Sequence, residues 1–183
     1  MTLKYDDEKY PRTLKEIYNP PKKLYVNGNI ENFNSPCLAV VGSRNNTEYG
    51  EKWCKYFVKE FVKYGITIVS GMAVGIDAIA HKTALKYGGK TIAVLPSGFN
   101  NIFPKENMEL YKQILNSNNT AVTEYASNTK ANSKRFLERN RIVSGLSLAV
   151  LVVEAAYRSG TSVTARIALS QGKKVFCIPR QFK

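Results

Sequence analysis

The chain has 183 residues, of which 44% are hydrophobic, which fits one α/β domain with a sizeable core and excludes a disordered tail. Lysine and arginine number 27 against 14 acidic residues, and the net charge of +13 favours polyanionic partners, nucleic acid first. One histidine and three cysteines without CxxC spacing argue against a transition-metal site and favour a reducing compartment. No apolar run is long enough to cross a bilayer, so we expect a soluble, cytoplasmic protein without membrane contact.

The first 35 residues are rich in tyrosine, proline, asparagine and lysine. Tyr10-Pro11 and Asn19-Pro20-Pro21 forbid a long helix, because proline lacks a backbone donor and restricts the residue before it. Leu24–Gly28 indicates a short strand and a turn. We expect residues 1–35 to form an N-terminal extension packed on a main domain of residues 36–183.

From Cys37 onward, short apolar runs alternate with amphipathic stretches of helical length. Strands that are apolar throughout and separated by helices are typical of a parallel sheet covered on both faces. The sequence therefore predicts a doubly wound, mostly parallel α/β sheet with helices on both faces. The predicted strands are Leu38–Val41, Ile66–Val69, Thr91–Leu95, Thr120–Tyr125, Leu148–Val153 and Val175–Ile178, and the predicted helices are Tyr49–Tyr64, Gly75–Tyr87, Lys105–Asn116, Arg135–Ser144 and Thr161–Gln171.

Small and cationic residues follow several predicted strands, at the carboxyl ends where such sheets bind ligands. Gly42-Ser43-Arg44 offers backbone amides, a hydroxyl and a guanidinium to an anion. Ser70 and Gly71 follow the next strand, and Gly160-Thr161 opens the last helix, so both are further candidate phosphate sites. The alternatives are an ordinary strand-to-helix turn at Gly42-Ser43-Arg44, close packing of strand and helix at Ser70-Gly71, and a helix cap at Gly160-Thr161. The GxGxxG pattern is absent after the first core strand, and we expect no cofactor.

The loop after the third core strand places Phe103 close to Lys105. Ring faces for bases beside a cation for phosphate are the combination that single-stranded nucleic acid prefers. The alternative is that Phe99 and Phe103 both fill the core beneath the loop.

The predicted helix that contains Arg139, Asn140 and Arg141 is the most distinctive segment. An asparagine between two arginines is poor for helix propensity alone, and such local inconsistency is expected at functional sites. A salt-bridged surface helix is the alternative interpretation.

Three titratable residues bear on catalysis. Asp77 fits a first-turn carboxylate that satisfies a helix dipole, and His81 fits a packed or capping histidine. Glu154 is the best indication of an enzyme, because a lone carboxylate can act as a base. It has no visible acid partner, and Arg141 or Arg158 is available to neutralise it.

Taken in order, these motifs resemble the DprA/Smf DNA-processing family over nearly the whole chain, from Tyr10 to Pro179. Thr123-Glu124 departs from the family's Ser-Glu, Arg180 stands where glycine is common, and many members continue into a winged-helix-like domain. The resemblance depends on Tyr10-Pro11, Leu14, Pro20-Pro21, Leu24-Tyr25, Gly28, Val40–Arg44, Tyr49-Gly50, Ser70–Asp77, Ala80-His81, Gly98, Phe103-Pro104, Arg139–Ile142, Val153–Ala155, Ser159–Thr161 and Thr164-Ala165.

The resemblance implies an extended Rossmann-like fold that binds single-stranded DNA in a basic pocket. It further implies a homodimer that protects incoming DNA and loads the RecA recombinase in natural transformation and DNA recombination. By the same resemblance Arg44 and Lys105 hold phosphates, and Arg139, Asn140 and Arg141 lie beside the pocket. The expected binding residues are Gly42, Ser43, Arg44, Ser70, Gly71, Phe103, Lys105, Arg139, Asn140, Arg141, Gly160 and Thr161.

We expect no catalysis and no metal. The alternative is a nucleotide-processing enzyme of the phosphoribohydrolase type, a class with a related α/β fold. It depends on Glu154 and the Ser159–Thr164 turn.

Overall fold

A computed structural model of the protein describes residues 1–156 and 159–179. Every strand and helix predicted above is present, with ends that differ by only a few residues. The strands are β1 (Thr2–Lys4), β2 (Lys23–Gly28), β3 (Cys37–Val41), β4 (Thr67–Ser70), β5 (Thr91–Val94), β6 (Thr120–Thr123), β7 (Ala149–Val152) and β8 (Lys174–Cys177). The helices are α1 (Arg12–Lys15), α2 (Glu48–Lys63), α3 (Ile76–Lys86), α4 (Met108–Asn116), α5 (Ser133–Gly145) and α6 (Gly160–Ser170), and short 3-10 turns cover Ile30–Asn34 and Lys105–Asn107.

The strands form one mixed sheet in the order β1-β2-β6-β5-β4-β3-β7-β8. From β6 to β8 all neighbours are parallel, whereas β1 and β2 join the β6 edge as antiparallel strands. The strand order reverses between β3 and β7, which is where doubly wound sheets bind ligands. The predicted doubly wound, Rossmann-like α/β fold is confirmed.

The two faces of the sheet bury separate sets of side chains because successive residues of a strand point to opposite sides. Ala39 and Val41 pack with Ile142 and Val143 of α5. Val40, between them in the sequence, packs instead with residues of α2 and α3. Helices therefore cover both faces, and the connections at the carboxyl ends of the strands remain free to form a site.

The N-terminal segment continues the main sheet. Its strand β2 pairs with β6 from Tyr25↔Thr123 to Gly28↔Thr120. The helix α1 and strand β1 were not predicted, because three or four residues are too few to show a hydrophobic period. The boundary at residue 35 stays a prediction.

Among the described residues, no helix has the length and apolar character needed to cross a membrane.

Candidate nucleic-acid interface

Two adjoining cavities open at the carboxyl ends of the parallel strands. The larger, about 700 Å³, lies at the β3–β7 reversal between the Gly42-Ser43-Arg44 turn and the start of α6. The smaller, about 380 Å³, lies beside Lys105 and Pro104. Four residues line both cavities, so the two form one continuous depression: Arg44, Ala73, Phe103 and Phe136.

Arg44 lies at the centre of this depression. Its side chain is exposed, and the guanidinium carbon lies 4.9 Å from the centroid of the Phe136 ring. Within the described residues no carboxylate forms an ion pair with it. A guanidinium stacked on a ring and free of a carboxylate keeps its donors available for a phosphate.

Two phenylalanines flank the depression. The Phe103 and Phe136 rings meet edge to face with centroids 5.6 Å apart, and Phe103 is 45% exposed. Phe99, by contrast, stacks on Tyr111 in the core, so the core-filling alternative holds for Phe99 but not for Phe103. Phe136 was missing from the predicted site. Its position three residues before Arg139, on the same helical face, was the available signal.

Lys105 supplies the second exposed cation. It opens the 3-10 turn Lys105–Asn107, and it lines the smaller cavity next to Arg44. We name Arg44, Phe103, Lys105 and Phe136 the rim of the interface.

Beneath the rim lies a layer of buried polar groups that we name the buried layer: Ser70, Gly71, Asp77, His81 and Arg139. Arg139 is only 3% exposed, and its guanidinium Nη1 donates to the carbonyls of Gly71 and Val94, at the ends of β4 and β5. Burial lowers the pKa of Arg139 to about 10, so the guanidinium remains charged at neutral pH. Arg139 contacts the larger cavity, but its Nη1 donates to carbonyls inside the protein.

Gly71 lies between Arg139 and Asp77. A methyl group on Gly71 would lie 2.6 Å from both guanidinium nitrogens and from the Asp77 carboxylate, so a larger residue here would displace these side chains. Burial raises the pKa of Asp77, and the nearby Arg139 charge opposes that rise. Ser70 Oγ donates to the Val40 carbonyl at 2.6 Å. Ser70 and Gly71 thus lie below the cavities and do not line them.

At the β3–β7 reversal, the Gly42-Ser43-Arg44 turn and the start of α6 together form one wall of the larger cavity. Thr161 Oγ1 donates to the Gly42 carbonyl at 2.9 Å, and the Asn140 side chain lies 3.5 Å from the Gly160 carbonyl. Ser159 caps α6 by accepting from Ser162 N. The predicted residues Gly42, Ser43, Asn140, Gly160 and Thr161 therefore all line the larger cavity.

Arg141 lies elsewhere. Its guanidinium binds both oxygens of Glu124, at 2.8 and 2.6 Å, and its Nε donates to the Asn19 carbonyl. Two residues turn a helix by about 200°, so Arg139 and Arg141 cannot face the same cavity. The geometry separates Arg141 from the other predicted site residues.

Two of the three titratable residues that bear on catalysis, Glu154 and His81, make contacts within the fold. The Glu154 carboxylate accepts from the backbone N–H and the hydroxyl of Thr47, at 2.9 and 3.3 Å. Arg141 does not neutralise it, and Arg158 lies outside the described residues. His81 is fully buried with Nδ1 2.7 Å from Thr91 Oγ1, and burial lowers its pKa to about 3.

Comparisons with known proteins identify the family of the chain. The family model for DNA recombination-mediator protein A matches residues 1–183. The chain is 45% identical to Protein Smf of Escherichia coli K12 over 174 residues, which cover 95% of this chain and 46% of that protein.

Two solved structures are similar along nearly the whole chain. DNA processing protein A of Streptococcus pneumoniae superimposes with a TM-score of 0.93 at 38% identity, over 99% of this chain and 63% of that one. The structure of DNA processing protein A from Helicobacter pylori addresses its single-stranded DNA binding mode. It superimposes with a TM-score of 0.90 at 32% identity, over 99% of this chain and 81% of that one. The chain spans about half the length of several sequence relatives that it matches. On this combined agreement of sequence and fold, the chain belongs to the DprA/Smf family of DNA recombination-mediator proteins.

Proposed function

We propose that the chain binds single-stranded DNA along the two adjoining cavities and leaves it chemically unchanged. One observation carries the proposal: Arg44, Phe103, Lys105 and Phe136 meet around one depression, two exposed cations beside two ring faces. Cations that track phosphates and rings that stack on bases are the two components of single-strand binding sites.

The preference for a single strand follows from the rings. A base can stack on the exposed Phe103 ring only when it has left its neighbours in a duplex. The larger cavity also presents the backbone of Gly42 and the start of α6, which suit a phosphate oxygen. We therefore expect weaker binding to a duplex of the same length.

The family context supports the wider role. We propose that the protein protects incoming DNA and loads the RecA recombinase in natural transformation, and that it acts as a cytoplasmic homodimer. Membership of the DNA recombination-mediator family supports this role, and the single-stranded DNA binding of the Helicobacter pylori relative supports the ligand.

Fluorescence anisotropy with labelled oligo-dT at several salt concentrations tests the proposal. About four phosphate contacts on a single strand give a log–log salt slope near −3, and the loss of one contact reduces it by about 0.7. We expect Arg44→Ala and Lys105→Ala each to weaken binding about tenfold, since about 1.4 kcal/mol is a factor of ten.

The matched control is Arg12→Ala, which removes one charge from an exposed arginine that lines neither cavity. It should change affinity less than twofold. Unchanged affinity in both rim variants, or an equal loss in the control, contradicts the proposed site.

The enzymatic alternative has a direct test of its own. The Glu154 carboxylate points to Thr47 and not to either cavity, which favours binding without catalysis. Chromatography after incubation with nucleoside monophosphates would detect a released base. Turnover that disappears in Glu154→Gln would support the enzyme and contradict our proposal.

A further inference from the structure

The two rim cations belong to different connections of the chain. Arg44 follows β3, and Lys105 precedes α4. Between them lies the loop of residues 71–75, which joins β4 to α3 and touches both connections.

At the Arg44 end, the contact is between backbones. Gly75 has φ +79°, and a Cβ there would lie 2.3 Å from the Ser43 carbonyl oxygen and 2.7 Å from that of Arg44. Ile76 N donates to the same Ser43 carbonyl at 3.1 Å. The loop therefore fixes the backbone from which the Arg44 side chain extends.

At the Lys105 end, the contact is made by one buried side chain. Asn107 is 5% exposed, and its Nδ2 donates to the Met72 carbonyl at 2.8 Å. Met72 is fully buried with φ +62°, a conformation that a non-glycine residue keeps only where its surroundings enforce it. Asn107 lies two residues from Lys105 in the same 3-10 turn, and it lines neither cavity.

These contacts form one path from cation to cation. It runs from Lys105 through Asn107 to Met72, and then along the loop to Gly75 and the Arg44 backbone. Resting on the proposed function, we infer that Asn107 is a positioning residue that sets the spacing between Arg44 and Lys105. It thereby sets which pair of phosphates on one strand the protein can hold.

A double-mutant cycle tests this role through binding rather than stability. Asn107→Ala should weaken oligo-dT binding about fivefold at a temperature where the variant is fully folded. In an Arg44→Ala background the same change should cost less than twofold, because no second cation remains to be spaced. A purely structural asparagine would lower the melting temperature in both backgrounds and leave the affinity of the folded protein unchanged.

Asn32→Ala is the matched control. Asn32 is 2% exposed and donates to Thr120 Oγ1 at 2.9 Å, at the amino end of β6 and far from the cavities. It should lower the melting temperature and change affinity less than twofold in either background. If Asn107→Ala does not fold, Asn107→Ser, whose hydroxyl cannot span the same distance, takes its place in the cycle.

The outcomes separate the two proposals. Absence of oligo-dT binding by the unaltered protein overturns the proposed function and this inference with it. Binding by the unaltered protein, with equal losses from the Asn107 variant in both backgrounds or no loss in either, overturns the positioning role alone.

Discussion

Arg44 and Arg139 lie at the same depression, yet the structure uses them in different ways. Arg44, on the rim, is exposed and free of any carboxylate among the described residues. Arg139, in the buried layer, is nearly inaccessible and donates to two carbonyls that end adjacent strands. A guanidinium can bind a ligand only with donors that are free, whereas it stabilises the fold through donors that are bonded to buried acceptors.

This difference has a thermodynamic consequence. The buried layer should determine stability and affect affinity only by holding the rim in place. The rim should determine affinity and contribute little to stability, because exposed charges without partners are worth little to a fold.

The largest expected effect is on the buried layer. Arg139→Ala should lower the free energy of unfolding by about 3–5 kcal/mol, because it leaves the carbonyls of Gly71 and Val94 buried without their donor and removes the positive charge near the buried Asp77 carboxylate. Urea denaturation measures this loss. Arg139→Lys keeps the charge but lacks the several donors of the guanidinium, so its free energy of unfolding should lie between those of the unaltered protein and Arg139→Ala. A small loss of stability together with a large loss of DNA affinity would contradict this prediction and show that Arg139 binds the ligand directly, as the rim residues do.

An intermediate effect is a pH dependence from His81. Its pKa in the folded protein is lowered to about 3 by burial and by the nearby Arg139, below the ordinary 6.5. The unfolded chain therefore takes up the proton first. The stability that comes from neutral His81 is complete above about pH 6.5 and is lost as the pH falls toward 3.

The slope that this produces has a limit of about 1.4 kcal/mol per pH unit. Asp77, whose pKa is raised, acts in the opposite direction and moderates it. Denaturation between pH 6.5 and 5 measures the slope, and His81→Asn should flatten it. An equal slope in the variant would assign the effect to other groups.

The smallest effect should come from the rim itself. Arg44→Ala should change the free energy of unfolding by no more than about 0.5 kcal/mol, although it removes a main phosphate contact. The same denaturation series measures it. A loss above 1 kcal/mol would show that Arg44 also supports the fold and would remove the distinction between rim and buried layer.

Sequence patterns predicted the parallel sheet well because its strands are apolar along their whole length. Leu38–Val41 was predicted and Cys37–Val41 is observed. Periodicity could not predict β1, since Thr2–Lys4 contains a single buried side chain.

The site was predictable where glycine, hydroxyl and cationic residues follow a strand, as Gly42-Ser43-Arg44 does. Contacts between distant parts of the chain were not predictable. The ion pair of Arg141 with Glu124 joins α5 to the end of β6, and no local sequence pattern predicts it. The carbonyls that face Arg139 are equally invisible in a sequence, because every residue has one.

The rim residues come from three distant segments: Arg44 follows β3, Phe103 and Lys105 lie between β5 and α4, and Phe136 lies near the start of α5. An unfolded chain cannot bring such remote groups together, so a ligand held by all of them binds the native state more tightly than the unfolded chain. Oligonucleotide at a hundred times the dissociation constant adds about 2.7 kcal/mol of stability when the unfolded chain does not bind it, and the melting temperature should rise accordingly. Binding of DNA in the depression can therefore be measured from the melting temperature of the protein, without any label on the DNA.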